Sequence, residues 1–138
     1  MKIRWDFVTN SSTTSFLIIC KGKPKINEFM IAMGVKEKKS PLWKLFNQLY
    51  NIMIDKIEPI GDAVQKRHWE KAESVYDLVK TYFSETTAKR VESAIRNSKD
   101  VWIGRLSSDE GDVESFFCVD DFEVEHGDFY LNALPCIW

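Results

Sequence analysis

The densest run of side chains able to do chemistry lies near the start of the chain, where Asn10 is followed by five consecutive hydroxyl residues, Ser11-Ser12-Thr13-Thr14-Ser15. Three roles suit such a run. The hydroxyls can satisfy backbone groups in a tight turn. With successive backbone N–H groups they can cradle phosphate or another anion, or they can themselves accept phosphate. The turn is the simplest of the three, and the other two stay open beside it. A second hydroxyl-and-acid loop, Ser107-Ser108-Asp109, follows an expected strand in the last third of the chain. The residues expected to line a ligand pocket are therefore Asn10, Ser11, Ser12 and Thr13 from the first segment and Ser107, Ser108 and Asp109 from the second. No glycine-rich phosphate loop with its lysine accompanies the run, so a nucleotide site is not supported.

The acids come next. Asp109, Glu110, Asp112 and Glu114 crowd one loop, and Asp120, Asp121, Glu123 and Glu125 follow. Hard cations take oxygen ligands, so Mg²⁺ or Ca²⁺ held by Asp109, Asp112, Asp120 and Asp121 is one reading. The order of acids, glycine and closing glutamate that marks an EF-hand is missing. The alternation of Asp121, Glu123 and Glu125 is more simply the solvent side of a strand, where charge also guards an edge. Cys20, Cys118, Cys136 and His126 could in principle supply zinc ligands or a nucleophile pair, but their spacing matches no compact knuckle and buried thiols are the simpler reading. His68, beside Trp69 in an expected helix, reads as a surface residue. Lys21, Lys23 and Lys25 on one side of an expected helix, with Lys36, Lys38 and Lys39 on the other, could form a basic patch. The aromatics sit at helical core spacing rather than among these lysines, and the sequence pI is about 5.7, so a solvated face is preferred to a nucleic-acid interface. No catalytic set emerges, and no cofactor is implied.

The stretch Phe7-Val8-Thr9-Asn10, then Ser11 to Ser15, then Phe16, resembles the opening of a group of small uncharacterised bacterial and phage proteins. These begin with a few charged and apolar residues, then a phrase like Phe-Val-Ser-Asn and a serine run ending in Phe. Thr9, Thr13 and Thr14 depart from serine here but keep the hydroxyl. The resemblance covers about a dozen residues. It implies a bacterial or phage setting, and no activity.

These residues must be positioned by a fold, and hydrophobic periodicity predicts its elements. Ile3, Trp5 and Phe7 alternate with charged residues as in a half-buried strand, Thr9 to Ser15 reads as a polar turn, and Phe16 to Cys20 reads as a strand buried on both faces. Four helices are expected next. The first carries Ile26, Phe29, Met30 and Met33 and stops at Gly34. The second starts at the Ser40-Pro41 cap and ends near Glu58-Pro59. The third runs from about Asp62 or Gln65 to Phe83, and the fourth from about Thr87 to Asn97 with Thr86 or Thr87 as cap. Then the period changes: a strand over Val101 to Leu106, a short helical turn at Val113 to Phe117, and two strands joined at Gly127-Asp128, the second ended by Pro135. Strands, helices, then strands predict one α+β domain. Its mostly antiparallel sheet of four or five strands draws on both chain ends and is covered by about four helices on one face.

A chain of 138 residues with 44% hydrophobic and 29% charged residues can build one core without disulfide or metal. No apolar run exceeds that of Phe16 to Cys20, no signal peptide is visible, and the cysteine count is odd, which together predict a cytoplasmic chain with no membrane partner. Residues 1–99 balance at +7 and residues 100–138 at −9, the latter holding a single base, Arg105. The halves are expected to attract each other within the fold, with a dipolar surface that steers a charged partner as the alternative. The reading that follows is a non-enzymatic binding or regulatory protein, with a protein partner open. A metal-assisted hydrolase using carboxylates of the 109–125 region is the alternative.

Overall fold

The computed structural model describes residues 13–70, 72–107 and 122–136. Phe16 to Cys20 combine β-branched and aromatic residues with no polar face, which suits an interior strand. They form most of β1 (Thr13–Cys20), the middle strand of a five-stranded antiparallel sheet. The others are β2 (Glu58–Pro59), β3 (Asp100–Ser107), β4 (Phe122–His126) and β5 (Phe129–Cys136), in the order β2-β3-β1-β5-β4. Leu17 faces Ile103 on one side and Asn132 on the other, so the early strand is clamped between two late ones. The α+β class and the joining of early and late strands are as expected. The strand predicted around Ile3 to Phe7 and the helical turn at Val113 to Phe117 lie outside the described residues.

Helices cover both faces of the sheet, not one. Phe16, Ile18 and Cys20 pack against Phe29 and Met30 of α1 (Ile26–Ala32) and Leu49 and Met53 of α2 (Pro41–Lys56). Leu17 and Ile19 point the other way, toward α3 (Ile60–Gln65), α4 (Val75–Tyr82) and α5 (Glu85–Arg96). A strand with apolar side chains on both sides requires this arrangement. Among the described residues, no helix is long and apolar enough to cross a membrane.

The helix signals are mostly local. Ser40 caps α2 by accepting from the Leu42 N–H at 3.2 Å, with Pro41 in the first turn. Gly34, at φ 82°, closes α1, and the Val35 N–H returns to the Met30 carbonyl. The predicted third helix is two. Arg67 takes a left-handed φ of 57°, and the His68 N–H returns to the Ala63 carbonyl, which ends α3; α4 restarts at Ser74, whose hydroxyl accepts from the Asp77 N–H. Trp69 is a core residue carried by the intervening loop. The cap of α5 is Ser84, not Thr86 or Thr87: its hydroxyl accepts from the Thr87 N–H at 3.0 Å, while Thr87 is buried.

Two further expectations are corrected. Thr13, Thr14 and Ser15 belong to β1 instead of the preceding turn, since threonine suits a strand and each has partners in both β3 and β5. Pro135 does not end β5, which runs to Cys136. Pairing with β4 stops at Ala133, so β5 is an edge on that side among the described residues, where a missing N–H is tolerated. The Gly127-Asp128 hairpin forms as expected, with His126 opposite Phe129.

Gly104 sits opposite Phe16 in the β1–β3 pair, and a Cβ there would lie 2.7 Å from Phe16 Cζ and 2.8 Å from the Lys56 carbonyl oxygen. Backbone cannot retreat as a flexible side chain can. Gly104→Ala should therefore destabilise the fold by about 1–3 kcal/mol, read as a lower urea midpoint with unchanged denaturant slope; an unchanged midpoint would show that the strand is not packed this closely.

Candidate functional site

On the face toward α3–α5, the side chains of β1 change from apolar to polar at Ser15, and those of β3 change at Arg105, its direct cross-strand partner. Residues opposite each other in an antiparallel pair share a face. Ser15 and Arg105 therefore stand together on the α3–α5 side, Ser15 buried and Arg105 exposed. The Arg105 guanidinium carbon lies 3.8 Å from the centroid of the Trp69 ring and 5.4 Å from that of Tyr82. Trp69, only 4% exposed, meets Tyr82 edge to face with centroids 4.8 Å apart, and the Tyr82 hydroxyl donates to the Glu70 carbonyl at 2.8 Å. The guanidinium thus lies over the Trp69 ring with Tyr82 close by, a cation–π arrangement. No carboxylate among the described residues comes within ion-pair distance of it. Trp69 is also one wall of an open cleft of about 720 Å³ bounded by Gln65, Arg67, Glu70 and Glu73.

One row further out, Thr13 is the cross-strand partner of both Ser107 and Cys136. Thr13 and Ser107 are the members of the expected pocket that the described residues include, and they are adjacent in the sheet. Asn10, Ser11, Ser12, Ser108 and Asp109 lie outside the described residues, as do the metal candidates Asp109, Asp112, Asp120 and Asp121. Arg105, Trp69 and Tyr82 were not singled out by sequence reasoning. The available signal was Arg105 itself, the lone base of an acidic third.

A hydrogen-bonded ladder runs across the same face on β5 and β4. Asn132 Nδ2 donates to the Tyr130 hydroxyl at 2.9 Å, and that hydroxyl donates to Glu123. Arg90 of α5 lies over the Tyr130 ring, 3.9 Å from its centroid, and pairs with Glu125. The two described carboxylates of the 109–125 region, both exposed, are thus engaged by partners within the chain. Asn132 is 7% exposed, and its Oδ1 has no partner among the described residues; the same holds for Thr14 Oγ1 on the opposite face.

Of the zinc and nucleophile candidates, Cys118 lies outside the described residues. Cys20 and Cys136 sit at opposite ends of the β1–β5 region, since Cys136 pairs with Thr13 and Cys20 lies seven residue steps further along β1, about 23 Å at 3.3 Å per residue. Burial, with Glu28 and Asp100 nearby, pushes the Cys20 thiol up to about 12, which keeps it protonated. Among the described residues no three His, Cys, Asp or Glu side chains cluster as a metal site. His68 is at the surface, 2.6 Å from a Glu58 carboxylate oxygen. Compared with known proteins, the chain matches no family model, no curated sequence and no solved structure.

The Tyr130 phenol is pushed up to about 12, first by burial and then by its hydrogen bond to Glu123. An acid whose folded value lies above its unfolded value near 10 contributes stability that is complete below pH ~10. That contribution fades as the pH rises from there through about 12. Tyr130→Phe should therefore remove one phenol from the late-ionising fraction in an ultraviolet tyrosinate titration. If the late fraction is unchanged in the variant, Tyr130 is not held as described.

Proposed function

We propose that this protein is a non-enzymatic binding protein that grips an anionic group, a carboxylate or phosphate, at the Arg105 end of its sheet. One observation carries the reading: an exposed guanidinium stacked on Trp69 beside Tyr82, with no carboxylate among the described residues to neutralise it. Two other cations on this side of the molecule are held differently. Arg90 is paired with Glu125 and Lys99 with Asp128. A planar fork fixed by an aromatic floor favours bidentate oxygen ligands, and holding it in advance lowers the ordering cost of binding.

The hydroxyl residues join this reading through position. Thr13 and Ser107 pair across the sheet, so Asn10, Ser11 and Ser12 on one segment and Ser108 on the other are proposed as further donors around the same anion. Asp109, an acceptor, suits a donor group elsewhere on the ligand. The bacterial or phage setting and a cytoplasmic location belong to the same proposal, and rest on the resemblance of residues Phe7 to Phe16 and on the reduced character expected of the cysteines.

Arg105→Lys keeps the charge but loses the fork and the stacking surface. Thermal melting of both proteins in inorganic phosphate and in succinate, at ionic strength matched with chloride, separates a site from general salt effects. At least one of the two anions should raise the wild-type melting temperature by several degrees in a saturable way and leave Arg105→Lys near its chloride value. Equal shifts in both proteins, or no anion-specific shift in the wild type, would overturn the proposal.

A further inference from the structure

A second surface, on the opposite face of the sheet, has the character of a docking groove. Between α1 and the start of α2, Met30, Ile31, Val35 and Trp43 line an open cleft of about 360 Å³ whose rim carries Lys36 and Lys38. Ile31 is 46% exposed, and Leu42, next to Trp43 in the chain, is 52% exposed. Among the described residues these are two of the three large hydrophobic side chains left in solvent, the third being Ile95. Solvating one such side chain is ordinary; placing Ile31 with a half-buried tryptophan in an apolar cleft, with Leu42 exposed one residue along the chain, is the pattern of a binding face.

The charges around the cleft say what fits it. Residues 36–44 carry Lys36, Lys38, Lys39 and Lys44 against Glu37. None of these lysines has an ion-pair partner among the described residues, whereas Lys21, Lys99 and Arg90 all pair with acids of the last third. An apolar floor inside a basic rim is complementary to an acidic segment carrying one large apolar anchor. Two copies of this chain joined symmetrically through the patch would set lysine against lysine, and a phosphate backbone would leave the apolar floor uncovered. We infer that the α1–α2 groove binds an acidic segment of another protein, with an apolar side chain seated among Met30, Ile31 and Trp43 and carboxylates over Lys36 and Lys38. This inference does not depend on the Arg105 site.

The test is a selection from a displayed library of random peptides on the full chain, with each enriched peptide then titrated against wild type, Ile31→Asp and the double variant Lys36→Glu with Lys38→Glu. Ile31 is at the surface, so Ile31→Asp should melt as the wild type does. Enriched peptides should combine net negative charge with a large apolar residue. Their affinity should fall by about tenfold or more with Ile31→Asp, since burial of such a side chain is lost, and should fall in the charge-reversed protein with a weaker salt dependence. Peptides without acidic bias, equal binding to Ile31→Asp, no enrichment at all, or concentration-dependent self-association abolished by Ile31→Asp would each overturn it.

Discussion

A strand that carries apolar side chains on both faces is stable only where both faces are covered, and β1 is such a strand. Phe16, Leu17, Ile18, Ile19 and Cys20 are all buried. Moving any of them into water would cost on the order of 1.5–3 kcal/mol for the larger side chains. The rest of the chain is arranged to prevent that exposure. β3 and β5 take its two edges, α1 and α2 take one face, and α3, α4 and α5 take the other. The close approach of Phe16 to Gly104 belongs to the same constraint, because an aromatic ring covers the place where the neighbouring strand has no side chain.

Beyond the apolar run the constraint relaxes, and polar groups take over. Ser15 with Arg105 marks that boundary, and Thr13 with Ser107 lies past it. The charge imbalance of the sequence is resolved at the other end of β1. Asp128 in the β4–β5 turn lies 3.3 Å from both Lys21 and Lys99, which hold its carboxyl below the usual range, and the Gly22 N–H donates to Asp100 at 2.8 Å. These contacts are exposed and individually weak. Their arrangement nevertheless brings bases of the first two thirds against acids of the last, the internal compensation that the sequence suggested. Arg105 stands apart from it, stacked on rings instead of paired with an acid, which is why it carries the functional proposal.

Much of the fold was legible because the signals were local. Ser40-Pro41, Gly34 and Gly127-Asp128 each act within a few residues, and alternation over Phe122 to Ala133 survives in the paired strands. The double burial of β1 was equally legible, and it already required cover on both faces. The break between α3 and α4 was hidden because apolar spacing continues through Trp69, a core residue held by a loop, and because the left-handed turn is made by Arg67 where glycine would have announced it. Of the expected pocket, only Thr13 and Ser107 fall among the described residues, and they pair across β1 and β3. The adjacency of Thr13 and Ser107 depends on strand register, and the stack of Arg105 on residues 36 and 23 positions earlier in the chain, Trp69 and Tyr82, depends on tertiary packing. Neither leaves a periodic trace.

The site and the core therefore depend most sharply on strand register. A slip of one residue between β1 and β3 would send Ser15 and Arg105 to opposite faces and undo the site along with the core. Nuclear Overhauser contacts in the labelled protein measure it directly. Cross-strand backbone contacts should run from Leu17 to both Ile103 and Asn132, and from Ser15 to Arg105, with slowly exchanging amides through Phe16 to Ile19. Contacts from Leu17 to Trp102 or Gly104 in place of Ile103, or pairing of β1 along one edge alone, would contradict it.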